Sequence, residues 1–223
     1  MKSAKPDFDR ARRCGIPEVI YAEGKTLADC TQIAGRHLSE SGRAILTRIS
    51  EKDAKKISAK LSGKDVHSSI NPRAKTLVLK KKDFKLEETG CIGILTAGTS
   101  DIPVAEEAAE IARELGLNVK TEYDVGVAGI HRVYPALDKL ADAQALIVVA
   151  GMEGALPSVI SGLVDVPVIG IPSSVGYGIG AGGKAALYAM LNSCAPVAVV
   201  NIDNGFGAAV IAAQITRRKK WQP

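Results

Sequence analysis

From Cys91 onward, short apolar runs alternate five times with segments whose apolar residues recur at helical spacing. Strands are predicted over residues 91–96, 118–123, 145–150, 166–171 and 197–202, and helices are predicted to begin near Pro103, Ile130, Leu156, Gly182 and Gly205. Such alternation is typical of a parallel sheet with right-handed crossovers. The pattern therefore predicts an α/β domain with a flavodoxin-like, five-stranded parallel sheet in the strand order 2-1-3-4-5.

The residues up to about 85 are predicted to form a smaller α/β module. Strands are predicted over residues 18–21, 44–49 and 76–80, and helices over 26–40 and 50–61. Ser50 to Asp53 resembles a capping box, in which side chains satisfy the free backbone N–H groups at the start of a helix. The lysine-rich stretch 80–85 is expected to link the two parts, so the predicted domains are 1–85 and 86–223.

The net charge of +5 is unevenly distributed along the chain. Up to Gly90 there are 20 Lys and Arg against 12 Asp and Glu, whereas the remainder carries 9 against 12. A basic half is compatible with nucleic-acid binding, but 3 Phe, 5 Tyr and 1 Trp offer few rings for base stacking. We therefore expect a solvated basic surface that attracts an anionic small molecule, and no nucleic-acid partner.

No apolar run reaches the length of a membrane-spanning helix, and the N-terminus lacks the apolar core of a signal peptide. We expect a cytoplasmic protein with no membrane partner. The four cysteines, Cys14, Cys30, Cys91 and Cys194, are spaced for neither a zinc site nor a disulfide framework. They are expected to be reduced, so that one of them is a candidate nucleophile.

The turn Gly98-Thr99-Ser100-Asp101 joins the first strand of the larger domain to its helix. It offers two hydroxyls, a carboxylate and backbone N–H groups at a helix N-terminus, which suit a phosphate. Ligands of open α/β folds bind at the edge of the sheet where the carboxyl ends of the strands meet. The other loops predicted at this edge are residues 124–132, 151–157, 173–183 and 203–207.

Several polar residues near this edge have both a structural and a chemical reading. His131 either hydrogen-bonds at a helix start or carries a proton, and Arg132 beside it suits a phosphate. Glu153 either caps the next helix or, with its pKa raised by partial burial, transfers a proton. Cys194, between a helix and the last strand, is on its own more typical of a small buried core residue.

The stretch Gly178 to Lys184 matches two glycine motifs incompletely. As a phosphate-binding loop of ATPases it lacks the magnesium-binding hydroxyl, because Ala185 stands in that place. As G-x-G-x-x-G it fits through Gly183, and Asp203 follows the next strand, where a ribose-binding acid is expected. A dehydrogenase is therefore the motif-based alternative, although a flexible loop facing the ligand is the favoured interpretation.

Seven segments strongly resemble the LarB family, and together they extend over nearly the whole chain. They are residues 16–26 (IPEVIYAEGKT), 97–109 (AGTSDIPVAEEAA), 123–132 (YDVGVAGIHR), 149–158 (VAGMEGALPS), 174–178 (SVGYG), 190–196 (MLNSCAP) and 200–208 (VNIDNGFGA). This family contains the carboxylase/hydrolase that begins synthesis of the nickel-pincer nucleotide cofactor. The resemblance implies conversion of nicotinic acid adenine dinucleotide and CO₂ or bicarbonate to pyridinium-3,5-biscarboxylic acid mononucleotide and AMP.

The resemblance also implies roles for individual residues. It makes Cys194, expected beside the final βα loop, the nucleophile, and Glu153, Asp101 and His131 the candidates for proton transfer. The other implied positions all serve substrate binding: Gly98, Thr99, Ser100, Asp124, Gly129, Arg132, Gly151, Met152, Gly154, Ser173, Gly176, Tyr177, Gly178, Asn201, Asp203, Asn204 and Gly205. A homo-oligomer without a tightly bound cofactor is implied, and Mg²⁺ near the phosphoanhydride is an open expectation.

The C-terminal half is also similar to the PurE family of aminoimidazole ribonucleotide carboxylases. The Ser-Asp turn and His-Arg pair of that family fall on Ser100-Asp101 and His131-Arg132, but Gly98 stands where it usually has another serine. The MLNSCAP and VNIDNGFGA segments have no counterpart there. A purine carboxylase or mutase is thus the second choice, and a non-catalytic nucleotide-binding module is a third. Within the LarB pattern, Val197 follows Pro196 directly, without the expected glycine.

Overall fold

The computed structural model describes residues 5–217, and the chain divides into two compact units between Leu86 and Glu87. The first unit contains the helices α1 (Arg10–Cys14), α2 (Leu27–Ser41) and α3 (Glu51–Leu61), with the strands β1 (Ile20–Tyr21), β2 (Arg43–Thr47), β3 (Val66–Asn71) and β4 (Thr76–Lys81). Its sheet has the order β1-β2-β4-β3. Strands β1 and β2 are parallel, and the other two pairs are antiparallel.

The core of the first unit lies between this sheet and helices α2 and α3. Ala34 of α2, Ile57 of α3 and Leu46 of β2 are buried in it. Both helices begin at a side-chain cap: Thr26 Oγ1 accepts from the Asp29 N–H and Ser50 Oγ from the Asp53 N–H, each at 3.1 Å. The cap predicted at Ser50 is therefore confirmed.

Two elements of this unit, α1 and β3, were not predicted from the sequence. Helix α1 is a single basic turn without apolar periodicity, and β3 is an edge strand with no fully buried residue. The stretch expected to act as a linker from residue 80 is partly wrong, because Lys80 and Lys81 continue β4 and pair with His67 and Val66. Edge pairing depends on the partner strand, which a local hydrophobic pattern does not report.

The second unit has the predicted flavodoxin-like architecture. Its strands are β5 (Gly90–Thr96), β6 (Leu117–Glu122), β7 (Leu146–Ala150), β8 (Val168–Pro172) and β9 (Val197–Val199). All four pairings are parallel, and the order β6-β5-β7-β8-β9 confirms the predicted 2-1-3-4-5. The helices are α4 (Ile102–Glu114), α5 (Val133–Lys139), α6 (Leu156–Ser161), α7 (Lys184–Leu191) and α8 (Gly205–Thr216).

The helices cover the sheet on both faces. Helices α4 and α8 pack against each other on one face, whereas α5, α6 and α7 contribute buried residues to a core on the other. All five residues of the central strand β7 are buried as a result. Close packing of α8 depends on Gly205, because a Cβ there would lie 2.7 Å from the Val104 carbonyl oxygen of α4.

In the second unit, the starts of α5 and α7 and the end of β9 differ from the prediction. Segments of 3₁₀ helix, Val127–Arg132 and Gly178–Gly183, precede α5 and α7, so these helices begin later than predicted. Strand β9 ends at Val199 rather than at residue 202. Just beyond it, Asn201 Oδ1 accepts a hydrogen bond from the Ile202 N–H, and Asp203 adopts a φ of 53°, so the chain turns away from the sheet.

The central strand should dominate the stability of the second unit. We expect Ile147→Ala, at a fully buried position, to lower the free energy of unfolding by about 2–5 kcal/mol, because it leaves a cavity in a close-packed core. The matched control is Ile179→Ala, since Ile179 is 94% exposed and its loss should change stability by less than about 0.5 kcal/mol. Urea denaturation of both variants measures the difference, and equal midpoints would contradict the prediction.

Candidate active site

A cavity of about 450 Å³ lies where β5 and β7 end and the loop after β8 begins. Residues of four loops surround it, as the shared edge of a parallel sheet requires. Of the predicted site residues, eight line this cavity: Gly98, Ser100, Asp101, Gly151, Met152, Glu153, Gly176 and Tyr177. Apolar residues complete the wall, among them Val127, Ala128, Leu156 and Val175.

The Gly98–Asp101 turn holds a buried carboxylate at the floor of the cavity. Asp101 is only 4% exposed, and its Oδ2 accepts a hydrogen bond of 2.9 Å from the Gly98 N–H. Helix α4 begins at the next residue, with Pro103 in its first turn, where the missing N–H costs nothing. The turn therefore folds locally around its own carboxylate, and the other hydrogen bonds to this carboxylate come from the residues that directly follow β7 and β8, Gly151 and Ser173.

Burial raises the pKa of Asp101, because desolvation disfavours the charged form, and the nearby charge of Asp203 acts in the same direction. Hydrogen bonds from the Gly98 N–H, the Ser173 hydroxyl and the Gly151 N–H oppose the shift without cancelling it. Ser173 is itself fully buried. A carboxyl group with a raised pKa in a cavity wall is suited to accept and return a proton.

The loop after β7 brings Glu153 to the same cavity. Gly151 lies so close to the following loop that a Cβ would be 2.3 Å from the Val175 carbonyl oxygen, so only glycine fits. Met152 next to it adopts a φ of 53°, which is uncommon for a residue with a side chain. Glu153 is exposed and lines the cavity, and α6 begins without any side-chain cap, so Glu153 is not its capping residue.

The segment after β6 contributes backbone and apolar groups rather than its predicted polar ones. Arg132 Nη1 forms a 2.9 Å ion pair with Asp124 Oδ2, and Gly129 leaves room for the guanidinium, which a Cβ would meet at 2.6 Å. His131 is exposed, and neither it nor the Asp124–Arg132 pair is among the residues that line the cavity. Thr99 is likewise exposed and outside the lining.

Five further predicted residues support the loops instead of lining the cavity. Asp203 Oδ1 accepts from the Ser174 N–H at 2.8 Å, and Asn204 Oδ1 caps α8 by accepting from the Gly207 N–H at 2.8 Å. Gly154 lies against α7, where a Cβ would be 2.8 Å from Ala186 Cα. Asn201 and Gly205 have the roles described above at the end of β9 and the start of α8.

The glycine motif does not form the tight turn of a dinucleotide-binding fingerprint. Residues 173–177 separate the end of β8 from Gly178, and a kinked 3₁₀ segment rather than a regular helix follows. The fingerprint requires a strand that runs directly through the glycines into a helix. Gly176 and Tyr177 of this loop line the cavity, whereas the flexibility of the loop stays a prediction.

Cys194 and this cavity lie at opposite edges of the sheet. It is exposed in the connection between α7 and β9, at the edge where the strands begin. Ser161, the last residue of α6, donates a 2.7 Å hydrogen bond to the Pro196 carbonyl oxygen and holds the connection there. The expected position beside the final βα loop is thus wrong, because a helix-to-strand connection in a parallel sheet lies at the opposite edge from a strand-to-helix one.

The comparisons with known proteins cover both units. Residues 91–222 match the family model described as AIR carboxylase, and residues 1–82 match the LarB/PurE-like N-terminal domain. The chain belongs to the LarB family. Its larger domain is of the PurE-like kind, which places it among carboxylases and mutases and confirms the family expected from the sequence.

Individual relatives divide into two groups. An uncharacterized Methanocaldococcus jannaschii protein is 48% identical over 96% of this chain and 84% of its own length. The N5-carboxyaminoimidazole ribonucleotide mutase of the same organism is 32% identical over 57% of this chain and 80% of its own length. A crystal structure of Treponema denticola PurE2 aligns with a TM-score of 0.46 and 25% identity, over 56% of this chain and 78% of that one.

Two kinds of feature are absent from residues 5–217. None of the helices in this range is long and apolar enough to cross a membrane. The same residues contain no group of three or more His, Cys, Asp and Glu side chains arranged to hold a metal ion. Participation of Mg²⁺ stays a prediction.

Proposed function

We propose that this LarB-family protein carboxylates nicotinic acid adenine dinucleotide and cleaves its phosphoanhydride, forming pyridinium-3,5-biscarboxylic acid mononucleotide and AMP. One observation carries the choice of this reaction over the purine one. The N-terminal 82 residues match the LarB/PurE-like domain, whereas similarity to the purine mutase of Methanocaldococcus jannaschii covers only 57% of the chain. Substrate, product and mechanism below follow from the family resemblance and from the chemistry of the cavity.

Carboxylation of a pyridinium ring needs a temporary loss of aromaticity, since the electron-poor ring does not attack CO₂. A thiolate adds to a ring carbon, and the ring becomes an enamine with a nucleophilic carbon. That carbon forms the new C–C bond to CO₂, a base removes its proton, and the thiolate leaves as the ring regains aromaticity. A thiol suits both the addition and the departure, as in other covalent catalysis.

Removal of the proton from the carboxylated ring carbon requires a base. Asp101 is our choice, because burial raises its pKa and it forms part of the cavity wall. Glu153 lines the same cavity and is the second candidate. The apolar wall around Val127 and Leu156 suits the flat ring, while the Ser100 hydroxyl on the same wall suits a carboxylate or phosphate.

We propose that the nucleophile, Cys194, comes from a second copy of the chain. Cys194 and the cavity lie at opposite edges of one sheet, so one chain does not combine them. We therefore propose a homo-oligomer in which the connection between α7 and β9 of one subunit reaches the cavity of another. Closed symmetry is the usual outcome when soluble chains of one kind assemble.

This assembly predicts a mass well above that of one chain. Static light scattering at micromolar concentration should give an integral multiple of 23.3 kDa. The purified full-length chain is the sample, and dilution to the nanomolar range tests how tightly the copies associate. A species of 23.3 kDa alone, with full activity, would contradict the shared site.

The decisive experiment for the reaction is product analysis by mass spectrometry. The protein is incubated with nicotinic acid adenine dinucleotide and ¹³C-bicarbonate, with and without Mg²⁺, and a labelled dicarboxylate plus AMP is expected. A parallel incubation with N5-carboxyaminoimidazole ribonucleotide tests the purine alternative, which the AIR carboxylase match supports. Turnover of the purine substrate alone would reject our proposal, and binding without any turnover would indicate a nucleotide-binding module.

A further inference from the structure

The first unit contains a small cavity of its own, far in sequence from the residues of the candidate active site. It has a volume of about 210 Å³ and lies between the N-terminal segment, α2 and β2. Phe8, Ala11, Pro17, Ile45 and Phe84 form its apolar wall, and the polar groups that reach it are those of Asp7, Glu18, His37, Ser41 and Arg43.

His37 is the unusual member of this wall. Its side chain is only 4% exposed, yet within residues 5–217 its Nε2 atom has no hydrogen-bond partner. Glu18 Oε2 lies 3.6 Å away, beyond hydrogen-bonding distance. Buried polar atoms are nearly always paired, because an unpaired one costs about 1–3 kcal/mol. An unpaired nitrogen in a cavity wall therefore indicates a group that binds there.

His37 Nε2 and Glu18 Oε2 determine which hydrogen-bonding groups a ligand in this cavity must have. Burial lowers the pKa of His37, so its ring is neutral at pH 7, and we assign to it the Nδ1–H tautomer, in which Nε2 is an acceptor. The Glu18 carboxylate is an acceptor as well, and it already receives the Asp7 backbone N–H. Two acceptors 3.6 Å apart cannot bond to each other, but an NH₂ group can donate one hydrogen to each.

The remaining wall favours a flat ring over an aliphatic amine. The Phe8 ring stands edge-on to His37 at 5.2 Å between centroids, and Phe84 lies on the wall as well. Arg36 lies over the Phe8 ring and Arg43 over the Phe84 ring, and Arg13 pairs with Asp7 at 2.6 Å. At about 210 Å³ the space is smaller than a drug-sized pocket.

We propose that this cavity is a second ligand site, which binds an amino-substituted heteroaromatic ring whose NH₂ group donates to His37 Nε2 and Glu18 Oε2. The site is separate from the proposed carboxylation, and its occupant is a free base of one or two rings rather than a dinucleotide. It lies in the N-terminal unit, outside the residues 91–222 that match AIR carboxylase.

Adenine and hypoxanthine form a matched pair of probes, because they share the purine ring and differ in an NH₂ donor against a carbonyl acceptor. The chain has three histidines, so ring ¹⁵N signals of His37 can be separated from those of His67 and His131 by NMR. We expect adenine to shift the His37 signal in a saturable manner, and hypoxanthine to bind at least about tenfold more weakly. Shifts at His131 report the other unit separately.

Glu18→Gln tests the charge of the second acceptor, since the amide oxygen that replaces the carboxylate accepts only an uncharged, weaker hydrogen bond; adenine affinity should fall at least about tenfold. Glu40→Gln, at an exposed position of α2, is the matched control and should bind adenine like the parent chain. Equal affinity for adenine and hypoxanthine, no response of His37 to adenine, or unchanged binding in Glu18→Gln would each overturn the proposal. If Glu18→Gln does not fold, the two purines still decide the question on the parent chain.

Discussion

Replacing Cys194 with serine should lower the rate of dicarboxylate formation by a factor on the order of 10³ or more. A serine hydroxyl has nearly the size of the thiol but is a far weaker nucleophile toward the ring and a far poorer leaving group from it. Because Cys194 is exposed, the variant should fold like the parent. The measurement is the initial rate of ¹³C incorporation, with circular dichroism as the test of folding.

Cys91→Ser is the control for this variant. Cys91 is partly buried, its thiol approaches Asp142 at 3.9 Å, and burial raises the pKa of that thiol, all of which disfavour a reactive thiolate. We expect it to retain nearly the full rate. A folded Cys194→Ser protein with the parent rate would refute the covalent mechanism, and AMP release without carboxylation would show that the two reactions use different groups.

Mixing two inactive variants tests whether the nucleophile comes from another copy. Subunits that carry Cys194→Ser keep Asp101, and subunits that carry Asp101→Asn keep Cys194. If each site combines residues of two chains, co-refolded mixtures should contain some intact sites and regain a measurable share of the parent activity. A mixture as inactive as its components would contradict the shared site, provided that mass spectrometry confirms mixed oligomers.

Replacing Asp101 with asparagine should lower the carboxylation rate by about 10²–10⁴-fold, the usual contribution of a positioned acid or base. Asparagine has the same shape but does not take up a proton. Asp138→Asn, at an exposed position on α5, is the matched control and should keep the parent rate. A retained rate in Asp101→Asn would transfer the role of base to Glu153, which Glu153→Gln then tests.

The pH dependence should distinguish a proton carrier from a merely structural carboxylate. The base acts when deprotonated, so the parent rate should fall as pH drops through the raised pKa of Asp101, which lies above 3.8. This fall in rate at low pH should be absent from the residual activity of Asp101→Asn. Rate profiles of both proteins provide the comparison, and an unchanged acid limb in the variant would argue against Asp101.

The same pKa shift has a consequence for stability. Because the folded state binds the Asp101 proton more tightly than the unfolded state, the contribution of this group to stability falls as pH rises from 3.8 through the raised pKa. Urea denaturation of the parent and of Asp101→Asn across this range should show a pH-dependent difference. A constant difference would mean that Asp101 titrates equally in the folded and unfolded chains.

The sequence alone determined the architecture of the larger domain. Short apolar runs that alternate with helical periods define β5 to β9 and their helices, because each strand of a parallel sheet is buried on both faces. The same pattern predicted the edge where Gly98, Asp101 and Glu153 meet, since every strand-to-helix loop of such a sheet lies there. These features depend on local composition and on the handedness of crossovers, so the sequence alone predicts them.

Tertiary structure decided which of those residues work together. The Asp101 carboxyl accepts hydrogen bonds from Gly151 and Ser173, which lie on two other loops, and no local pattern contains that information. The position of Cys194 depends on the edge of the sheet at which the connection between α7 and β9 lies. The MLNSCAP motif around it indicates only the family. The unpaired His37 nitrogen was invisible for the same reason. Hydrogen bonds and desolvation join residues distant in sequence, so their pairing exists only once the chain has folded.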